Sequence, residues 1–486
     1  MAPLLEFLIP RPPDFLWSVK FWAYLHIFIF LHRYVRLIVH CISHWTYKSI
    51  MPIEKPKYTA KDVSVVVPTI HNRPEELKPT LESILACNPA KLILVTTYNK
   101  HAALEQSVST LSHKNSTTVI EVLHVDKANK RLQVCKALEE DHVKTDITIM
   151  ADDDVEWPPT LMRWILAPFE DERMGGVGTC QRVKRVGGDL TTRIYNWLGA
   201  AYIERRNFEI SATHNIDGGT SCMSGRTGAY RTEILKSYDF LSGFKNEKWG
   251  KYILNADDDN FVTRWLVAHQ WKTWIQYEPD CEIETTLENS HKFLYQCSRW
   301  ARSNWRSNWT SLIHERWVYR QQLWCTYALH IATFTSLAFL FDPLILYSCW
   351  RGTENWELKN RYILLGSEIA FMFCFTKVVK LVGLFRKNPI DIVFLPVSIL
   401  FGYFHGLIKL YALFTLKETS WGSREDGDVN NTFRLQEKPP RSESMATPPG
   451  PDIVDLRRST MASHARRVGL SSQKHEYPGF TVTSVS

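Results

Sequence analysis

The 486-residue chain holds ten cysteines, scattered from Cys41 to Cys374, and no C-x-x-C pair among them. That spacing excludes a zinc ribbon and a dense disulfide framework, and fits reduced thiols in cytosol and membrane. No basic stripe or nucleic-acid motif accompanies the net charge of +7, so nucleic acid is not an expected partner. No small-residue cleavage site follows the first apolar stretch, which argues against a removed secretory signal. What the chain has in plenty is aromatics: they make up 13%, with 18 Trp, a share that suits a membrane interface.

Residues 1–50 contain "FLWSVKFWAYLHIFIFLHRYVRLIVHCI", long enough to cross a bilayer but interrupted by His26, His32, Arg33 and Arg36. The reading is a retained anchor, with an in-plane amphipathic helix as the alternative. Lys48, Lys55, Lys57 and Lys61 follow it and place the next domain in the cytosol. Residues 62–295 alternate apolar runs with helical patterns. "VSVVVPT" (63–69), "KLILVTTY" (91–98), "TTVIEVLHV" (117–125) and "TDITIMA" (145–151) read as strands of a mostly parallel, doubly wound α/β sheet. Residues 296–322 mix Trp and Arg in "RWARSNWRSNWTSLIHERW", the pattern of helices lying in the headgroup layer. Residues 323–416 offer three stretches long enough to span: 323–350, 362–385 and 389–414. Three simple spans would carry "WGSR" (421–424) across the membrane, unless one stretch is broken, with Asp342-Pro343 and Pro396 as candidate breaks. Residues 425–486 lack periodicity and read as disordered.

Two copies of "ADDD", at 151–154 and 256–259, carry the chemistry. The first closes an apolar strand, where open α/β sheets bind ligands. Asp152 and Asp154, two apart, can aim at one hard divalent cation; the competing reading is a solvated turn or helix cap. The second precedes a helical pattern, "NFVTRWLVAHQW". Between them, Ser224-Gly225-Arg226 forms a turn that allows close backbone approach to a ligand. "QCSRW" (296–300) adds a guanidinium fork for a diphosphate, an amide for hydroxyls and a flat ring for a sugar.

In this order, between membrane anchors, these motifs resemble a family-2 glycosyltransferase of the membrane-integrated polysaccharide-synthase type, similar to hyaluronan, chitin and cellulose synthases. The chain most resembles the type 2 glycosyltransferases of filamentous fungi. The likeness runs from about Val63 to Arg424: "VVVPT", "NKRLQVCKAL", "ADDDVEWP", "SGRTGAYR", "ADDDNFVT", "QCSRW" and "WGSR". Departures are Thr96, Thr97 and Asn99 where many relatives end the second strand in aspartates, Asp257 in place of Thr or Gly, and Asn260 in place of Arg.

The resemblance implies a GT-A-type nucleotide-sugar domain with N- and C-terminal transmembrane helices. It implies a UDP-sugar donor, a growing glycan acceptor, the lipid bilayer as partner and Mg2+ or Mn2+ as cofactor. Asp259 would be the catalytic base with Asp258 beside it. Asp154 and Asp152 would hold the metal, with ribose as the other candidate contact of Asp152. Pro68, Thr69, Lys130, Arg131, Asp152, Gln296 and Arg299 would bind the donor and its diphosphate. Ser224, Gly225, Arg226 and Trp300 would face the acceptor, and Asp257 would cap a helix. The implied activity is processive, inverting polymerisation of a sugar at the plasma membrane of a fungus, the catalytic domain cytosolic and the polysaccharide exported to the outside or the cell wall. The runner-up is a single transfer to a membrane lipid, like ceramide glucosyltransferases. A scaffold or transporter with an inactive transferase domain predicts a lost catalytic group, and the acidic residues and Q-x-x-R-W are all present. Of three glycosylation sequons, Asn430 is usable only on an outside tail; Asn115 and Asn308 fall in regions read as cytosolic.

Overall fold

A computed structural model describes residues 18–71, 74–110, 117–139 and 141–419. The "WGSR" segment, the expected disordered tail, Asn115 and Asn430 lie outside the described residues.

The first strand, β1 (Val63–Pro68), is buried at every position. Its alternate side chains enter two cores: Val63, Val65 and Val67 face one, and Val66 the other. A strand covered on both faces reads as an unbroken apolar run, which explains "VSVVVP". β2 (Lys91–Thr97), β3 (Val119–Val125) and β4 (Ile147–Ala151) follow. They are linked by α2 (Pro74–Ala86), α3 (Tyr98–Thr110) and α4 (Lys130–Glu139), after the N-terminal helix α1 (Val19–Thr46). β2 pairs with β1 and β3, and β4 with β1, all parallel.

The chain then makes β5 (Val155–Glu156), β6 (Met174–Thr179), β7 (Gln181–Val183) and β8 (Thr227–Arg231). A short ribbon joins β9 (Lys248–Trp249) to β10 (Tyr252–Ile253), and β11 (Lys272–Gln276) and β12 (Ile283–Thr285) complete the strands. The main sheet has seven strands in the order β11-β6-β8-β4-β1-β2-β3. β8 is antiparallel to both β4 and β6. β5, β12 and β7 form a small separate sheet.

β6, "MGGVGT", carries no apolar signature, and its glycines have a packing reason. A Cβ on Gly176 would meet Leu266 Cδ1 at 2.7 Å, and one on Gly178 would meet Ile275 Cδ1 at 2.6 Å. The strand is sequence-silent because helix and neighbouring strand press directly on its backbone.

Long helices flank this domain: α5 (Leu190–Asp217), α6 (Asp258–Ala268) and α7 (Lys292–Trp309). After them come α8 (Ala338–Gly352), α9 (Leu358–Ala370) and α10 (Leu395–Phe414). Among the described residues two helical runs are long and apolar enough to cross a membrane, Val19–Thr46 and Pro389–Phe414. The stretch expected to span at 323–350 is instead bent by 93° between Leu323–Phe334 and Ala338–Gly352. The break falls at residues 335–337, not at Asp342-Pro343, because Asp342 sits inside α8 paired with Arg33 at 2.8 Å. The 362–385 stretch is helical throughout but irregular: α9 is followed by a π turn at Phe371–Phe375 and, after a short α turn, a 3-10 turn at Val379–Leu381.

The polar residues that interrupt α1 all have partners across the bundle. Arg33 also donates to Thr335 O (3.0 Å), Arg36 to Ala328 O (2.6 Å), and His32 meets Thr335 Oγ1 (3.2 Å). Of these, Arg33 satisfies a carbonyl freed at the break, the condition for irregular chain among membrane-type helices. The Trp/Arg segment packs part of its Arg set inward. In α7 Arg306 and Arg302 are buried, because each has an acid to meet: Asp257 at 2.7 Å and Glu418.

Candidate active site

β4 ends at Ala151, opposite Thr227 of β8, and the ladder continues with Asp152 N donating to Arg226 O at 3.0 Å. Antiparallel pairing therefore brings the first acidic triplet beside Ser224-Gly225-Arg226. The three aspartates then part. Asp153 is buried and accepts from Thr69 Oγ1 at 2.8 Å, tying the end of β4 to the end of β1. Asp152 and Asp154 are half-buried and line a cavity of about 330 Å³.

Asp257 stands at the N-cap position of α6 with φ +67°, in the left-handed region. Its side chain makes no cap; it turns to Arg306, so the expected capping role is replaced by a buried ion pair. Burial works against its ionisation, and the Arg306 guanidinium outweighs that and holds its carboxyl below the ordinary range. The turn presents Asp258 and Asp259 to the same cavity.

Lys130, first residue of α4, joins the two triplets. Its Nζ lies 2.7 Å from Asp152 Oδ1 and 2.9 Å from Asp258 Oδ2. Burial alone would weaken its hold on the proton; the two carboxylates reverse this and push its pKa up. The same ammonium overrides burial at Asp258 and keeps that carboxyl low. Asp259 goes the other way: burial, then the charge of Asp258, raises it. One acid is thus held ionised while its neighbour is moved toward the range where a base can take up a proton. Gly225 N–H donates to Asp259 Oδ2 at 3.3 Å, and a Cβ at Gly225 would meet Lys130 Nζ at 3.1 Å.

α7 supplies the opposite wall. Gln296, Arg299 and Ser303 recur at helical spacing on one face, with Trp300 beside them, and all four line the cavity. Trp300 stacks on Tyr202 of α5 at 5.0 Å, and the Arg226 guanidinium lies 5.6 Å from its ring centre. Arg226 is held by Thr285 (3.1 Å) and Gln181 (3.0 Å). Gln296 Oε1, Asn260 Oδ1 and Asp257 Oδ1 are buried without a hydrogen-bond partner, acceptors suited to ligand hydroxyls. Pro68 and Thr69 line a narrower recess that shares Lys130, Asp152 and Asp153 with the main cavity.

Arg131 does not join them. It is fully buried, donating to Phe244 O (2.8 Å), Glu247 (2.6 Å) and Ala256 O (2.9 Å). Neighbours on a helix point about 100° apart, so Lys130 and Arg131 serve different faces. Asn308 is buried too and donates to Thr333, closed to glycosylation in this fold. Arg206 and His71 also line the cavity, and Asn129 and Asn255 the recess. No sequence motif marks Arg206; it lies within a 28-residue helix whose register only packing reveals.

Comparison with known proteins agrees with this geometry. The family described as "Glycosyltransferase like family 2" matches residues 60–303, from the approach to β1 to the middle of α7. The chain belongs to glycosyltransferase family 2. A type 2 glycosyltransferase of Gibberella zeae is 65% identical over 464 residues, covering 95% of this chain and 86% of that one. A hyaluronan synthase of Streptococcus pyogenes is 22% identical over 378 residues, 75% of this chain and 83% of that one. Among solved structures, a mannosyltransferase from Pyrobaculum calidifontis in complex with GDP-Man and Mn2+ aligns with TM-score 0.51 at 16% identity, over 82% of this chain and 99% of that one. That likeness places the α/β domain in the GT-A-like fold. The chain is therefore a glycosyltransferase, with two apolar helices that associate it with membrane.

Proposed function

We propose that this glycosyltransferase polymerises a sugar from a UDP-sugar with inversion and passes the glycan outward through the plasma membrane of a fungus, its catalytic domain facing the cytosol. The observation that carries the reading is Lys130, bridging Asp152 of the donor-side triplet and Asp258 of the acceptor-side triplet within one cavity. Inversion needs one displacement: the acceptor hydroxyl attacks the anomeric carbon as the bond to the diphosphate breaks. Asp259, raised above the ordinary carboxylate range, takes the hydroxyl proton. Lys130 and Arg299 line the cavity and supply positive charge to offset the negative charge that grows on the departing diphosphate. Gln296 and Trp300 hold and orient sugar rings, with Ser224, Gly225 and Arg226 on the acceptor side.

Asp154 and Asp152 offer an oxygen-only donor pair facing the cavity, a set that fits Mg2+ or Mn2+ completed by phosphate and water. Such an ion, when bound, would neutralise charge on the diphosphate. Asp154→Ala is expected to weaken Mn2+-dependent UDP binding, measured by calorimetry; unchanged binding with full activity removes Asp154 from that role.

UDP release from a panel of UDP-sugars, with the size of the radiolabelled product, tests the whole reading. A long polymer supports it. A single-sugar lipid replaces it with the lipid-acceptor transferase, and release from another nucleoside diphosphate sugar alone corrects the donor.

A further inference from the structure

Away from the catalytic cavity, three helices bring unlike ligands together: His26 of α1, Cys349 of α8 and Glu368 of α9. One ligand atom from each lies within 4.8 Å of the others. Cys349 and Glu368 are buried and His26 is half-buried.

The hydrogen bonds restrict what can occupy this point. His26 Nδ1 lies 3.2 Å from Ile345 O. A carbonyl only accepts, so Nδ1 carries the proton. In a neutral ring Nε2 is then a lone pair, and it faces Glu368 Oε1 at 2.9 Å. Two acceptors at that separation need a proton or a cation between them. A shared proton satisfies that pair alone. It leaves the Cys349 sulfur as a protonated thiol donating to Glu368 rather than as a ligand. A metal ion uses all three groups at once.

We propose that His26, Cys349 and Glu368 form a zinc site that clamps the N-terminal helix to α8 and α9. Thiolate, imidazole and carboxylate together suit Zn2+, whereas Mg2+ and Mn2+ prefer oxygen alone and Cu+ prefers ligands without carboxylate. The His26 Nδ1–H bond to a backbone carbonyl is the arrangement that fixes a ligating histidine with Nε2 toward its metal. A fourth position remains for water. The site is separate in position and chemistry from Asp152 and Asp154, and it gives His26 of α1 a function toward two buried groups. Binding deprotonates the thiol and places cation charge against Glu368, which removes the cost of an isolated carboxylate among apolar helices.

The test uses the full-length protein purified in detergent with zinc in the buffers, then desalted. Elemental analysis is expected to find about one zinc per chain. Replacement by Co2+ is expected to give a thiolate-to-cobalt charge-transfer band in the near ultraviolet. Cys349→Ser is expected to abolish the band, and His26→Gln and Glu368→Gln to lower zinc affinity by roughly tenfold or more. Cys374→Ser, at the exposed cysteine, is expected to keep both signals. UDP binding by each variant shows that it has folded. Wild-type protein free of zinc and without the band overturns the site and leaves a shared proton. A band that survives Cys349→Ser overturns it as well.

Discussion

At the scale of residues, the site works by giving like side chains unlike neighbours. Asp257, Asp258 and Asp259 are consecutive, yet Arg306 holds the first, Lys130 the second, and the third is raised by burial and by the charge of Asp258. Asp259→Asn is expected to lower transfer rate by about 10²–10⁴ while UDP binding persists; wild-type turnover would exclude it as base. The pH profile follows from the direction of its shift. The base must be ionised to act, so rate falls as pH drops through its raised pKa, at higher pH than an ordinary aspartate would give. The Lys130 ammonium works against the rise of Asp259, so Lys130→Met should move the acidic limb to higher pH, visible in kcat against pH. Arg306→Met leaves Asp257 buried and uncompensated. Denaturation in detergent should register a loss of about 3–5 kcal/mol, whereas a rim contact would cost far less.

At the scale of elements, the second triplet depends on how α6 is seated. Leu266 of α6 rests on Gly176 of β6, and Thr263 of α6 accepts Met223 N–H at 2.8 Å. Gly176→Val is expected to cost about 1–3 kcal/mol and also to lower kcat, because the helix that carries Asp259 must shift. A stable variant with full kcat would show that α6 seats independently of β6. β1, β2 and β4 were legible because near-continuous burial on both faces leaves an apolar run, and β3, at the sheet edge, by its β-branched residues. β6, β8 and β11 were not legible: "MGGVGT" is shaped by close approach rather than by side-chain burial, and "TGAYR" owes its place to pairing with β4 and β6. The Trp/Arg pattern of α7 did not reveal that Asp257, 49 residues away in sequence, gives Arg306 an internal partner.

At the scale of the molecule, the first helix is more than a tether. Ser43 donates to Ala212 O at 2.8 Å, His44 meets Ser211 at 2.7 Å, and Tyr47 just beyond donates to Ile275 O of β11 at 2.7 Å. Tyr34, Leu37 and Cys41 are buried in a cluster with Phe208 of α5 and Ile345 of α8. Deleting residues 1–46 is therefore expected to give aggregated protein that no longer binds UDP, judged by size-exclusion chromatography. A monodisperse, active fragment would show that the catalytic domain stands alone.

The amino-acid sequence by itself determined the chemistry available: two acidic triplets, an Arg-Trp pair on a helix, a glycine turn, and apolar stretches around an α/β domain. Those are properties of short segments, where composition and local periodicity carry the signal. Tertiary structure alone decided which partner each aspartate meets, that Lys130 faces the cavity while Arg131 faces the core, and where the 323–350 stretch bends. Each of those outcomes turns on a partner distant in the chain, Asp258 for Lys130, Glu247 for Arg131, Arg33 for Asp342, and no local pattern encodes a contact made across the fold.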